Sequence, residues 1–533
     1  MSEIKNIIAN GQAVLGIEFG STRIKAVLIE PNTYKPIAQG AHEWENRLEN
    51  GFWTYHLDDI WTGLQDCYQD LVKDVQKQYG LKLEKLASIG FSAMMHGYMA
   101  FDKAGNQLAQ FRTWRNANTS KAAQELTEVF QFNIPERWSI AHLYQCILDK
   151  EDHVKDVDFF TTLAGYVHWK LTGQKVLGVG DAAGMFPIDS NTMDYNQDYL
   201  AKFNQILSQK DLPYTLEQLL PKVLCAGANA GTLTEQGAKL LDTSGTLQPG
   251  CSLCPPEGDA GTGMVATNSV AARTGNVSAG TSIFAMVVLE KALKKLHREI
   301  DNVTTPDGLQ VAMVHANNCT SDLNAWVGLF ADFLKVANIQ MDTTTLFKTL
   351  YNEALNNGAP DCDGIISYGY LSGENITNVP EGRPLLARMP NSKFNIANLF
   401  RANLNTSLGA IRIGMNILKN EEVKIDKLLG HGGLFKTPVV GQSIMADALD
   451  TPVWVMTTAG EGGAWGIALL AAFQALNQKN LTLPQFLDNY VFKDAQGTKI
   501  EPNPVGVEGF NKFLERYILC IGVERQAVSC LQR

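Results

Sequence analysis

Two short stretches of this sequence pair glycine with hydroxyl side chains in a way that suits an anionic oxygen. Gly20-Ser21-Thr22-Arg23 offers a backbone free of a Cβ, two small hydroxyls and a guanidinium, and Gly280-Thr281-Ser282 repeats the glycine and hydroxyls about half a chain later. Backbone N–H groups that approach closely, small hydroxyls and a nearby cation are what a phosphate needs. Two such turns could grip a polyphosphate from both sides. No Gly-Lys dipeptide occurs in the chain, so a GxxxxGK[ST] loop is absent.

Other candidates stand between and beyond these turns. Asp259 lies in PPEGDAGTG, where a carboxylate is either a turn former or a general base held in a cleft. His96, in Met95-His96-Gly97, is a loop histidine or a group that meets a ligand. Gly432-Gly433 would let backbone approach a flat ligand, and the residues 442–449 that follow read as a helix. Asp181, in LGVGDAAGMF, reads as a helix cap or as an acid lining a cleft. The same segment, with Gly178, Gly180 and Gly184, mimics a dinucleotide loop, but no clean strand-helix-strand unit ending in an acid follows it. Cys251 and Cys254 form a CxxC without a second pair or an HxxxH, which leaves them two small residues in a strand or turn.

The elements that position these residues alternate. Apolar runs at 14–17 and 24–29 flank the first turn, and runs at 275–279 and 283–289 flank the second, so each reads as a hairpin of two buried strands. A duplicated core, one copy per half, follows from that pairing. Residues 56–79 place Ile60, Trp61, Leu64, Cys67, Tyr68, Leu71, Val72 and Val75 on one helical face, with Asp58 or Asp59 near the start and Gly80 at the exit. Residues 86–93 and 98–101 read as strands around the Met95-His96-Gly97 loop. Residues 396–418 and 462–476 read as helices, the second rich in small residues and buried against other elements. The architecture is mixed α/β, with a boundary in the glycine-rich passage 258–272 that yields domains 1–267 and 268–533.

Composition narrows the function classes. At 533 residues the chain exceeds one core, and 45% apolar with 19% charged residues is ordinary globular composition. Net charge −10 gives no general attraction for phosphate backbones or anionic lipid, so neither nucleic acid nor a membrane is an expected partner. No apolar stretch reaches the ~20 residues of a membrane span, and the N-terminal residues lack the pattern of a secretory signal. Nine scattered cysteines read as free thiols, which points to the cytoplasm.

Taken in order, GIEFGSTRIKAVLIE, FSAMMHGYMAFD, PPEGDAGTGMVA, VSAGTSIFAMV, GHGGLFKTPVVGQSIMADAL and EGGAWGIALLAA resemble the motifs of the FGGY carbohydrate kinases, within the actin and hexokinase superfamily. The resemblance runs from about residue 14 to about residue 473 and is greatest to the xylulose kinases. It implies two duplicated actin-like, ribonuclease H-like domains with ATP and sugar in the cleft between them. It implies ATP and Mg²⁺ as cofactors, a small-molecule sugar as substrate, and D-xylulose converted to D-xylulose 5-phosphate. Another pentulose, a hexulose or a polyol is the alternative acceptor, and an actin-like or chaperone-like ATPase or a non-catalytic sugar sensor is the alternative from another class.

The resemblance also assigns residues. Gly20, Ser21, Thr22 and Arg23 match the first phosphate motif, Gly280, Thr281 and Ser282 the second, and Gly432 with Gly433 the adenosine motif. Met95, His96 and Gly97 match the sugar-contacting loop, with Trp114 and Asn116 beside it. Asp259 matches the base that takes the proton of the attacking hydroxyl, and it shares the metal with Glu18, which acts through water. Three departures stand out: Glu18 replaces the family's usual Asp, Asn116 and Asn118 replace the Asp and Arg of a Trp-x-Asp-x-Arg motif, and the stretch after Gly433 is about a residue longer. Individual adenine contacts and the oligomeric state, a homodimer included, stay open.

Overall fold

The computed structural model describes residues 2–457, 462–476 and 481–531. It folds as two compact units: residues 1–271, 301–311 and 461–494 form the first, and residues 272–300, 312–460 and 495–533 the second.

In the first unit Val14–Phe19 runs antiparallel to Arg23–Ile29 and parallel to Ser88–Ala93. The sheet continues through Pro36–Glu43 on one side, and Ser252–Leu253 and Glu257–Gly258 both pair with Ser88–Ala93 on the other. Alternation of side chains sends Gly16 and its partner Gly90 to one face, Gly40 to the opposite one. A Cβ on Gly16 would lie 2.2 Å from the Ala464 carbonyl, and one on Gly40 would lie 2.3 Å from the Cys67 carbonyl. Small residues on the strands therefore let Gly462–Leu476 pack closely on one face and Leu57–Tyr79 on the other. That accounts for the small-residue composition of Gly462–Leu476, whose buried part includes Ala464, Ala468 and Ala471.

Leu57–Tyr79 is a helix of 23 residues that buries Ile60, Leu64, Cys67, Tyr68, Leu71 and Val75 on one face. His56 takes the N-cap position; Asp58 and Asp59 sit in the first turn, where the helix dipole favours them, and Gly80 closes the helix in the left-handed region.

The second unit repeats the arrangement. Thr274–Ala279 runs antiparallel to Ile283–Val288 and parallel to Lys427–His431. Gln310–Ala316 flanks the hairpin on one side, and Val453–Met456 and Gly497–Ile500 extend the sheet on the other. Helices Thr343–Asn357, Ile396–Thr406, Val440–Leu449 and Pro504–Cys530 bury their apolar faces in a core with Val277, Ala285, Phe400, Ile444 and Phe513.

One expectation is corrected. Residues 396–418 are not one helix: Ile396–Thr406 ends and Gly409–Asn420 begins anew. The Ser407 hydroxyl donates to the Leu404 carbonyl while the Leu408 N–H turns to the Asn405 carbonyl, so a side chain competes with the helical ladder at the break. Within the glycine-rich passage 258–272, Asp259–Ala266 is a helix with Gly258 at its N-cap. All nine cysteines are free thiols, and Cys251 and Cys254 flank the two-residue strand Ser252–Leu253. No helix among the described residues is long and apolar enough to cross a membrane.

Candidate active site

The first turn ends the hairpin of the first unit, and each of its carbonyls is held from behind. Gly20 N–H donates to the Arg23 carbonyl at 3.0 Å. Trp44 Nε1 donates to the Gly20 carbonyl at 2.7 Å, Tyr55 OH to the Ser21 carbonyl at 2.5 Å, and Trp44 N–H to the Thr22 carbonyl at 3.2 Å. Trp44 and Tyr55 stack with ring centroids 4.0 Å apart. With its carbonyls fixed against this aromatic pair, the turn leaves Thr22 and Arg23 exposed. Trp114, 39% exposed, donates from Nε1 to the Ser21 hydroxyl at 3.2 Å.

A group of acids lies on the same unit. Glu18 shares a sheet row with Lys25 and Ser92, on the face that carries Gly16 and Gly90. Ser92 Oγ lies 3.0 Å from Thr262 Oγ1 of the helix Asp259–Ala266. A Cβ on Gly463 would sit 2.2 Å from Glu18 Oε1, so that glycine makes the space the carboxyl occupies. Burial pushes Glu18 up to about 7; the Asp259 charge adds to the rise, while Lys25 and the Ala464 N–H oppose it. Asp259 opens its helix and accepts N–H bonds from Met95 at 3.3 Å and Ala260 at 2.9 Å. Burial raises it to about 6 against those donors. Two half-buried carboxylates, one raised by the charge of the other, present oxygen ligands of the kind a hard divalent cation takes, and its charge would offset theirs.

Met95-His96-Gly97 follows the strand Ser88–Ala93. His96 has φ of 67° and Gly97 φ of 86°, and a Cβ on Gly97 would lie 2.8 Å from the Arg112 carbonyl. The loop is propped by the next segment: Ser139 Oγ donates to the Gly97 carbonyl at 2.5 Å, and Trp138 stacks on the His96 ring. His96 Nδ1 lies 3.2 Å from the Gly184 carbonyl. A carbonyl only accepts, so Nδ1 carries the proton and Nε2 is left as an acceptor. Burial, with the Arg137 charge, drives the ring's pKa down to about 3, which keeps it neutral.

Behind this loop sits an acid pair that the sequence motifs underplay. Glu257 accepts the Gly180 and Asp181 N–H groups at 3.3 and 2.9 Å, and Asp181 accepts the Thr162 hydroxyl at 2.7 Å. Burial and the Asp181 charge hold Glu257 well above the carboxylate range, and burial foremost, with the Asp259 charge, pushes Asp181 up to about 8 against the Thr162 hydroxyl. A Cβ on Gly178 or Gly180 would strike the Glu257 carboxyl at 2.2 or 2.5 Å, and one on Gly184 would meet His96 Nδ1 at 2.6 Å. The glycines that mimic a dinucleotide loop are thus room for Glu257 and His96. Asp181 caps no long helix, since only Val179–Ala182 follows the strand.

Asn116 is buried and bonded to backbone. Its Oδ1 accepts the Trp53 N–H at 2.8 Å, and its Nδ2 donates to the Trp53 and Thr113 carbonyls at 2.8 and 3.0 Å. Buried and engaged at both ends, it pins the strand Phe52–Thr54.

In the second unit the turn at 280–282 is braced by backbone and a hydroxyl. Gly280 N–H donates to the Ser282 carbonyl at 2.9 Å. Thr320 donates to the Gly280 carbonyl from N at 3.0 Å and from Oγ1 at 2.7 Å, and Cys319 N–H donates to the Thr281 carbonyl at 3.0 Å. Gly432 lies beside this turn with φ of 103°, and a Cβ there would be 2.5 Å from the Ala279 carbonyl. Gly433 opens a short 3₁₀ turn, Gly433–Lys436, before the helix Val440–Leu449. The adenosine candidates and the second phosphate turn therefore adjoin. Glu461, at the head of EGGAWGIALLAA, lies outside the described residues.

A separate cluster, Cys146, Glu151 and His153, brings ligand atoms within 4.8 Å of one another. The buried Arg112 guanidinium donates to Cys146 Sγ at 2.9 Å and to both Glu151 oxygens, so a fixed cation already neutralises it.

Comparison with known proteins agrees with this arrangement. Residues 13–246 match the N-terminal domain, and residues 275–475 the C-terminal domain, of the FGGY family of carbohydrate kinases. The chain is 21% identical to a xylulose kinase of Haemophilus influenzae over 95% of its own length and 98% of the relative's. Among solved structures it is similar to the ligand-bound xylulose kinase of Lactobacillus acidophilus, with TM-score 0.77 at 16% identity over 97% of this chain and 99% of that one. It is also similar to the gluconate kinase of the same organism, with TM-score 0.75 at 16% identity over 97% and 98%. With the two-domain actin-like ATPase fold that these neighbours share, the chain belongs to the FGGY family of carbohydrate kinases and is a phosphotransferase acting on a sugar-type alcohol.

Proposed function

We propose that this kinase transfers the γ-phosphoryl group of ATP to a hydroxyl of a ketose, D-xylulose foremost, giving D-xylulose 5-phosphate. The observation that carries this reading is the hydrogen bond from Met95 N–H to the Asp259 carboxylate, which ties the candidate base to the loop that precedes His96. The xylulose kinase relatives support the choice of sugar.

Phosphoryl transfer asks a protein mainly for positioning, charge stabilisation and one group that orients the nucleophile. Asp259 is that group: held at its helix start, with a pKa raised to about 6, it is charged at neutral pH yet a better proton acceptor than an ordinary aspartate. His96, neutral with Nε2 free to accept, takes a hydrogen bond from a sugar hydroxyl, and Met95 and Gly97 fix the loop's course. Trp114 offers an indole face beside Ser21. The turn at 20–23 and the turn at 280–282 present N–H groups and hydroxyls to the phosphates, and Gly432 with Gly433 lets the adenosine lie against backbone. Glu18, through water, and Asp259 would hold a magnesium ion, which supplies charge neutralisation to the phosphates when bound.

Fold likeness does not separate xylulose from gluconate as the acceptor, since both kinds of kinase match this chain to similar extents. Coupled ADP release across pentuloses, hexuloses, glycerol and gluconate, with saturating magnesium and ATP, makes that separation. D-xylulose is expected to give the highest kcat/KM; a higher value for gluconate or glycerol overturns the assignment of the sugar.

A further inference from the structure

The second phosphate turn owes its position to a segment that a buried acid holds. Residues 317–320 follow the strand Gln310–Ala316 directly, and their last two members, Cys319 and Thr320, supply every bond to the Gly280 and Thr281 carbonyls described above. The first two members are anchored to Glu374. Its Oε2 accepts Asn317 N–H at 2.9 Å, Asn318 N–H at 3.2 Å and Asn318 Nδ2 at 3.2 Å. Asn318 Oδ1 in turn accepts N–H bonds from Leu371 and Ser372 at 3.0 and 3.1 Å, and Asn317 Nδ2 donates to the Gly373 carbonyl at 2.8 Å. Glu374 is 0% exposed, and the Ile376 N–H also favours its charged form.

A carboxyl placed fully inside a unit is costly, so the bonds it accepts, three of them on Oε2, are the compensation that keeps it there. Their effect is directional. They fix residues 317 and 318, which leaves residues 319 and 320 aimed at the turn's carbonyls.

We infer that Glu374 is a positioning residue for nucleotide binding: through Asn317 and Asn318 it sets the turn at 280–282, and it has no part in holding the sugar. This rests on the reading of that turn as a nucleotide-phosphate site.

The test is calorimetric titration of MgADP into wild type, Glu374→Ala and Glu374→Gln, with KM measured for MgATP and for the acceptor. Alanine removes the acceptor of three N–H bonds, and is expected to weaken MgADP and raise the MgATP KM by about tenfold or more, with the acceptor KM within about twofold. Glutamine keeps an oxygen for the same three donors and is expected to stay within about threefold of wild type. A folded alanine variant with wild-type MgADP affinity overturns the inference. If alanine fails to fold, Thr320→Val and Thr320→Ser decide: a loss of about threefold or more in valine, restored in serine, supports it, and wild-type affinity in valine overturns it. Wild-type protein that binds no MgADP sinks the nucleotide reading itself and the positioning role with it, whereas wild-type binding left unchanged in the variants sinks only the role of Glu374.

Discussion

The turn at Gly20 and the turn at Gly280 close equivalent hairpins, each strand pair extended by a parallel neighbour, yet their surroundings share little. Two stacked aromatic rings hold the first turn's carbonyls; a threonine hydroxyl and backbone N–H groups hold the second's. On the unit of the first turn lie Glu18, Asp181, Glu257 and Asp259, all with raised pKa values. Beside the second turn lies Gly432, pressed on the Ala279 carbonyl, and the acid behind it, Glu374, which burial also raises to about 7, is engaged by three donors and stands alone rather than in a group. A duplicated scaffold thus fixes where a glycine-hydroxyl turn stands, and on the function proposed above the local side chains decide whether that half supplies proton chemistry or grip on the donor.

The sharpest break of this contrast is Asp259→Asn. It keeps the side chain's size but cannot take a proton, so kcat is expected to fall by about 10²–10⁴ while MgADP affinity and melting temperature stay near wild type. A turn-forming aspartate would give the reverse, lost stability with normal turnover in the folded fraction. Gly432→Ala is the matching lesion in the other unit. A Cβ at positive φ, 2.5 Å from a carbonyl oxygen, must displace the backbone beside the second turn. Steady-state kinetics should show the MgATP KM rising by about tenfold or more with the acceptor KM nearly unchanged; equal rises in both would erase the division between units.

A smaller effect sharpens the difference between the two braces. Tyr55→Phe keeps the stack on Trp44 and removes the hydroxyl that bonds the Ser21 carbonyl and meets Asn46, so kcat/KM for MgATP should fall by about two- to tenfold. An unchanged value would mean that the Trp44 bonds and the ring stack suffice to hold the first turn.

Much of this was legible in the residues themselves. Glycine turns between apolar runs mark both hairpins, and the 3.6-residue period from Ile60 to Val75 marks its helix, because each signal lies within a few residues of chain. The buttresses were not legible. Trp44 reaches Gly20 and Tyr55 reaches Ser21 across 24 and 34 residues, and Glu374 holds Asn318 across 56. Local pattern carries no record of such pairings. Asn116 shows the same limit from the other side: its motif position suggests a ligand contact, and only the fold reveals that the Trp53 backbone uses its amide. Glu257 stood two residues before Asp259 in plain view, but its meaning depends on the glycines at 178 and 180 that make room for it.

The smallest expected effect concerns the acid pair behind the loop. Asp181 in the fold titrates near 8, above the value of about 4 for an unfolded aspartate, so the folded state binds that proton more tightly. Its contribution to stability is present below about pH 4 and is lost as pH rises towards 8. Asp181→Asn removes this loss. Its melting temperature relative to wild type should rise by about 2–5 °C between pH 5 and pH 8.5, and a difference that does not change with pH contradicts the raised pKa.

The most direct test of the account is the stoichiometry of phosphoryl transfer. Wild-type enzyme with magnesium, ATP and limiting D-xylulose should release one ADP per sugar consumed, yield a sugar monophosphate by mass spectrometry, and hydrolyse ATP without sugar at about one-hundredth of that rate or less. ADP release that is equally fast without sugar, or that leaves the D-xylulose unphosphorylated, contradicts it.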